Sequence, residues 1–156
     1  AYHGAGFVGW QRQPGLVSVQ QVLEEAAAKL NGGVEPVSVA AGRTDSGVHA
    51  EGQVVELAVS ADLPPARIRA ALDFHTKPHP MSVRAAAAMP EGWSARFSAV
   101  KRRYRYRILD RAARPALEAG LVWHHPRRLD AALMHEAAQG LLGRHDFSAY
   151  RAASCQ

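Results

Sequence analysis

The segment from Ser18 to Gly33 restricts how this chain can fold more than any other stretch. Ser18 with Gln21 makes a capping box, and Val19, Val22, Leu23, Ala26, Ala27 and Leu30 follow at helical spacing until Asn31-Gly32-Gly33 stops the run. A helix with a single apolar stripe needs an apolar surface to lie on, and the flanking sequence supplies strands that can provide one. Val37 and Val39 alternate toward a loop at 42–50, and Gln53 to Val59 alternates again beyond it. That loop is expected to be suspended between two strands.

Further along, Asp62-Leu63-Pro64-Pro65 opens a second predicted helix running to about Phe74, and two prolines make His75 to Pro80 a connector. Met81 to Ala88 is ambiguous. Arg102 to Leu109 alternates strictly, which predicts a strand with Tyr104, Tyr106 and Ile108 on one face and Arg103, Arg105 and Arg107 on the other. Leu129, Leu133, Ala137 and Leu141 recur every fourth residue in a third predicted helix, ended by Gly143. Helices and strands interleave with no fixed repeat. The pattern predicts an α+β fold, a mixed and largely antiparallel sheet with helices on one face. With 156 residues, 47% of them hydrophobic, there is material for one ordinary domain or one and a half small ones.

Lys and Arg number 19 against 14 Asp and Glu, and the pI is near 9.9, which favours a polyanionic partner. Arg greatly outnumbers Lys, and its planar fork suits phosphate contacts and stacking on bases. Nucleic acid is the first partner to consider. The one cysteine, Cys155, can form no internal disulfide and no zinc knuckle, which suits a reducing, cytoplasmic setting. No apolar run approaches the roughly 18 to 20 residues that span a bilayer, so no membrane role is expected.

Two tempting motifs fail on context. Gly4-Ala5-Gly6-Phe7-Val8-Gly9 matches GxGxxG, and Glu24 lies at about the acidic spacing of a dinucleotide site. That fingerprint must open a helix, however, and Trp10 to Gly15 intervenes before any helix can start. Among the 8 histidines, the pairs His75 with His79 and His124 with His125 have no third ligand nearby in sequence. Solvated or hydrogen-bonded histidines are the expectation, with no metal and no cofactor.

The segment Gly42-Arg43-Thr44-Asp45-Ser46-Gly47-Val48-His49-Ala50 can be read as turn chemistry between strands, since Asp-Ser-Gly is common there. The nonapeptide as a whole nonetheless closely resembles the catalytic motif of TruA-type tRNA pseudouridine synthases. Tyr2-His3-Gly4 through Phe7, Gly9-Trp10-Gln11, Ser18-Val19-Gln20, Arg96-Phe97-Ser98-Ala99, Arg103-Tyr104-Arg105-Tyr106 and Gly143 to Phe147 agree with that family in the same order. One stretch departs: Asp73-Phe74-His75-Thr76 stands where the family has an Asn-containing helix end.

The resemblance implies a cofactor-free isomerase acting on the anticodon stem-loop of tRNA, with Asp45 as nucleophile. It implies that Arg43 fills the space left by the flipped nucleotide and that Tyr104 stacks on the target base. Thr44 and His49, in the same motif, are taken with them as substrate-binding positions. On the residues alone, Arg43 also reads as a cation keeping Asp45 ionised or as an ordinary exposed salt bridge, and Tyr104 as a core tyrosine. The rival to the enzyme is a non-catalytic RNA-binding module of the same ancestry. The resemblance further implies two ferredoxin-like halves, 1–95 carrying the catalytic loop and 96–156 beginning the second. The intact protein is expected to be a homodimer. The chain is expected to be cut at both ends, with a missing C-terminal part that supplies a basic partner to the aspartate.

Overall fold

The computed structural model describes residues 1–150, and Cys155 lies outside them. Helix α1 spans Val19–Ala28, strand β1 Val39–Ala40, strand β2 Val55–Glu56 and helix α2 Pro65–His75. Strand β3 is Ile108–Leu109, β4 Trp123–His124 and helix α3 Ala131–Gln139, with short 3-10 turns at Gly4–Gly6 and Ser148–Tyr150. The α+β class read from the sequence holds, and both pairing directions occur: β1 with β2 antiparallel, β3 with β4 parallel. Two units divide the chain, Ala1–Tyr104 and Arg105–Gln156.

In the first unit, α1 forms where its spacing places it. The Ser18 hydroxyl accepts from the Gln21 amide at 3.2 Å, and the Gly33 amide closes on the Ala28 carbonyl at 2.8 Å. Val19, Val22, Leu23, Ala26 and Ala27 are all buried. The first three pack with Tyr2, Phe7, Trp10 and Ala40, while Ala26 and Ala27 meet Leu72 and Ile68 of α2. Each such Val or Leu contributes about 1.5–3 kcal/mol of burial, so this one stripe organises the unit.

The α2 helix begins at Pro65, where proline forfeits no hydrogen bond, and Pro64 accepts from Arg67 and Ile68 at 2.8 and 3.1 Å. At its far end the Asp73 carboxylate accepts from the Val83 amide at 2.8 Å. Thus one residue of the stretch that departs from the family pattern fastens the segment after the connector to α2. The β1–β2 ladder pairs Val39 with Glu56 and Ala40 with Val55, and Ala41 extends it by donating to Val54 at 2.9 Å. Tyr2 bridges both Ala50 and Met81, giving the otherwise ambiguous Met81 an extended role.

The strand predicted over Arg102 to Leu109 narrows to Ile108–Leu109, in the second unit. Ladder bonds exist only where a neighbour runs alongside: Trp123 donates to Arg107 at 2.8 Å and His125 to Leu109 at 3.0 Å. Tyr106 is 88% exposed, so strict alternation did not by itself secure a core face. Helix α3 is capped by Asp130, which accepts from Ala132 and Leu133 at 3.0 Å each, and it ends at Gly140 rather than Gly143. Asp110 accepts from the Leu129 amide at 3.2 Å, which fixes the approach to that helix.

Candidate active site

The 42–50 loop leaves β1 and returns toward β2, and the N-terminal segment holds it along its length. Tyr2 exchanges two backbone hydrogen bonds with Ala50, at 2.8 and 3.0 Å. The Gly4 amide donates to His49 Nδ1 at 3.0 Å, and the Trp10 amide donates to the Thr44 carbonyl at 2.8 Å. Between these, the Phe7 carbonyl accepts from the Ser46 hydroxyl at 3.4 Å and from the Gly47 amide at 3.5 Å. The loop is therefore not a free hairpin tip.

Two glycines make this approach possible. A Cβ on Gly4 would sit 2.2 Å from the Val48 carbonyl oxygen, and one on Gly9 2.7 Å from the Thr44 oxygen at a φ of +110°. The space at the GxGxxG glycines is thus filled by the loop's own backbone, and after the Gly4–Gly6 turn no helix begins before Val19. A dinucleotide has no helix N-terminus to meet there.

Side chains alternate along the loop as they do in extended backbone. Thr44 is half-buried, and its hydroxyl lies 2.8 Å from the Tyr2 hydroxyl, either of which can donate. Arg43 and Asp45 on either side of it are exposed, and among the described residues neither side chain has a hydrogen-bond or ion-pair partner. The Arg43–Asp45 salt bridge weighed from the sequence is not formed. His49 is half-buried, and its ring packs edge-on against His3 with centroids 4.3 Å apart.

Tyr104 is 64% exposed, so it is not the core tyrosine that alternation allowed. It lies over the start of the loop: a Cβ on Gly42 would be 3.5 Å from its hydroxyl oxygen. Arg102 anchors the same place, donating to the Ala41 carbonyl and to the Arg96 carbonyl at 2.7 Å each. Gln53 Nε2 donates to the Gly42 carbonyl at 2.5 Å. The structure thus gathers Arg43, Thr44, Asp45, His49 and Tyr104 within one unit.

The sequence pattern assigned Tyr2, Trp10, Gln53 and Arg102 no role at the loop, yet all four brace it. The available signal was that Tyr2-His3-Gly4 and Gly9-Trp10-Gln11 accompany the Asp45 motif in the family pattern. As for metals, no group of three or more His, Cys, Asp or Glu gathers among the described residues. His124 Nε2 lies 2.8 Å from the Arg111 carbonyl and His125 Nδ1 2.7 Å from that of Arg127, so both are occupied by backbone. No helix among the described residues is long and apolar enough to cross a membrane.

Comparison with known proteins bears on the same residues. A family model described as tRNA pseudouridine synthase matches residues 1–98, which include the whole 42–50 loop. The protein named tRNA pseudouridine synthase A of Acidiphilium cryptum is 60% identical over 156 residues, covering 99% of this chain and 61% of the relative. Those of Methylobacterium nodulans and Rhodospirillum rubrum are 54% and 52% identical, again over 99% of this chain, covering 61% and 55% of their own lengths. The chain spans about 60% of the length of such relatives. With the loop, its N-terminal brace and α1 all inside the matched region, this chain belongs to the tRNA pseudouridine synthase family.

Proposed function

We propose that the protein containing this chain converts uridine to pseudouridine in the anticodon stem-loop of tRNA, with Asp45 as nucleophile. One observation carries the reading. Asp45 is an exposed carboxylate with no protein partner among the described residues, on a loop held through its backbone at 44, 47 and 50 and through the Ser46 hydroxyl. A structural turn aspartate ordinarily spends its oxygens on nearby amides, whereas a nucleophile needs them available.

The reaction breaks the ribose C1′–N1 bond, turns the uracil over and joins C1′ to C5, with the hydrogen on C5 lost and one gained at N1. Atoms balance without a cofactor. The Asp45 carboxylate, ionised, acts on the ribose either by adding to it or by first generating a glycal. Tyr104 offers an exposed ring near the loop on which an extruded base can stack, and Arg43 offers a flat cation for the space the base leaves. Thr44 and His49 complete the motif. A pI near 9.9 and the abundance of Arg support a tRNA partner. The same reading makes the full-length protein a cytoplasmic homodimer.

The test is to incubate the full-length protein with tRNA transcripts and map pseudouridine by position, beside Asp45→Ala. The expected result is modification just 3′ of the anticodon. The variant should lose about 10³-fold or more in rate while Kd for tRNA changes by less than about threefold. Binding without conversion by the wild type would favour the RNA-binding module instead.

A further inference from the structure

Tyr2 holds the loop at two separate points. Its backbone exchanges both hydrogen bonds with Ala50 at one end, and its hydroxyl reaches Thr44, the residue between Arg43 and Asp45. The ring is buried, 7% exposed, and packs edge-on against Phe7 at 6.2 Å. A phenylalanine would fill the same ring site, so packing alone does not account for the hydroxyl. Buried phenols need a partner, and here the partner is the one side chain in the 43–45 stretch that turns inward.

Consider what that bond restrains. The Thr44 carbonyl is already taken by the Trp10 amide at 2.8 Å, and the Asp45 carbonyl by the Val48 amide at 3.2 Å. With the Thr44 hydroxyl also held, rotation at residue 44 that would swing Asp45 must break a part-buried hydrogen bond. The carboxylate itself stays unengaged. This is an arrangement that orders a backbone while leaving the reactive group free.

We infer that Tyr2 is a positioning residue for the Asp45 chemistry, acting through the Thr44 hydroxyl; this rests on the proposed nucleophilic role of Asp45. Thr44 then serves the reaction from inside the loop, through the hydroxyl that Tyr2 engages.

The experiment uses the full-length protein and one tRNA transcript under single-turnover conditions. It compares Tyr2→Phe, Thr44→Val, Thr44→Ser and the Tyr2→Phe/Thr44→Val double variant. Misplacement by about 1 Å can cost roughly a hundredfold, and loss of one of several restraints should cost about tenfold. Tyr2→Phe and Thr44→Val should each slow turnover by about that factor, with Kd for tRNA within about twofold and Tm within about 3 °C. The double variant should be no slower than the slower single, because both remove the same bond. Thr44→Ser should retain the wild-type rate. A wild-type rate in Tyr2→Phe, strictly additive losses, or losses that follow Tm or Kd would each overturn the inference while leaving the nucleophile assignment intact. A wild-type protein that forms no pseudouridine would instead overturn the functional reading, and the positioning role with it.

Discussion

Glu24 Oε1 accepts hydrogen bonds from both the amide and the hydroxyl of Ser38, each at 2.8 Å, and both residues are 5% exposed. The same oxygen accepts from Gln20 Nε2 at 3.0 Å, while Oε2 faces Arg12 Nη1 at 3.4 Å. Arg12 in turn pairs with Glu35, and its amide donates to Gln20 Oε1 at 3.1 Å. Ser38 lies immediately before β1. One buried carboxylate on α1 therefore ties the helix to the strand that enters the 42–50 loop and to the segment that follows Trp10.

Removing it should be costly. Glu24→Ala would leave the two Ser38 donors unpaired in a buried site and Gln20 Nε2 with only the Ser38 carbonyl at 3.4 Å, a loss of about 2–4 kcal/mol. Urea unfolding of the full-length protein reads this directly. A midpoint unchanged from wild type would mean that water replaces the carboxylate without penalty.

Gly9→Ala should damage the loop more than Gly15→Ala, although both residues have positive φ, +110° and +73°. At Gly15 nothing lies within 4 Å of the added Cβ, so only backbone strain of about 1–2 kcal/mol applies. At Gly9 the Cβ would meet the Thr44 oxygen at 2.7 Å, adding about 1–3 kcal/mol of overpacking and pushing on the residue beside Asp45. Thermal melts and turnover should both separate the two variants, with Gly9→Ala the worse in each. Equal effects would show that strain alone matters.

The Asp73 carboxylate is held below the usual range for an aspartate. The Val83 amide is the main cause, helped by the Ser82 hydroxyl and by the charges of Arg69 and Lys77, and opposed by desolvation. A depressed folded-state value means the group stabilises above its unfolded pKa, and that this contribution is lost as pH falls through the lower folded value. Asp73→Ala should therefore cost about 1 kcal/mol near neutral pH, discounted because solvent screens the carboxylate. The gap from wild type should close as pH drops below about 4. Melting curves of both proteins across that window check the sign; a gap that widened in acid would refute it.

Tyr104→Ala should slow turnover by about 1–3 kcal/mol in barrier, the worth of one stacked base, and leave Tm nearly unchanged because the ring is 64% exposed. Tyr104→Phe should retain most activity, since a ring suffices for stacking. Rate measurements beside melting curves distinguish this from a structural role, which would lower Tm as well.

The sequence alone carried α1, α2 and the suspension of the 42–50 loop between paired strands. Those features depend on local periods, caps and turn residues, which a chain encodes within a few neighbours. It also carried the family, because the nonapeptide around Asp45 is too specific for a turn. What it did not carry was decided over long separations. The inward turn of Thr44 requires Tyr2, 42 residues away, and the exposure of Arg43 and Asp45 follows from that alternation. The burial of Gln20 and Glu24 on α1 likewise depends on partners from other elements, Arg12 and Ser38. The strand expected from Arg102 to Leu109 shrank to its last two residues for the same reason. Alternation states which faces a strand could present, but hydrogen bonds and a core face come only from a neighbouring strand, and that is settled by tertiary packing.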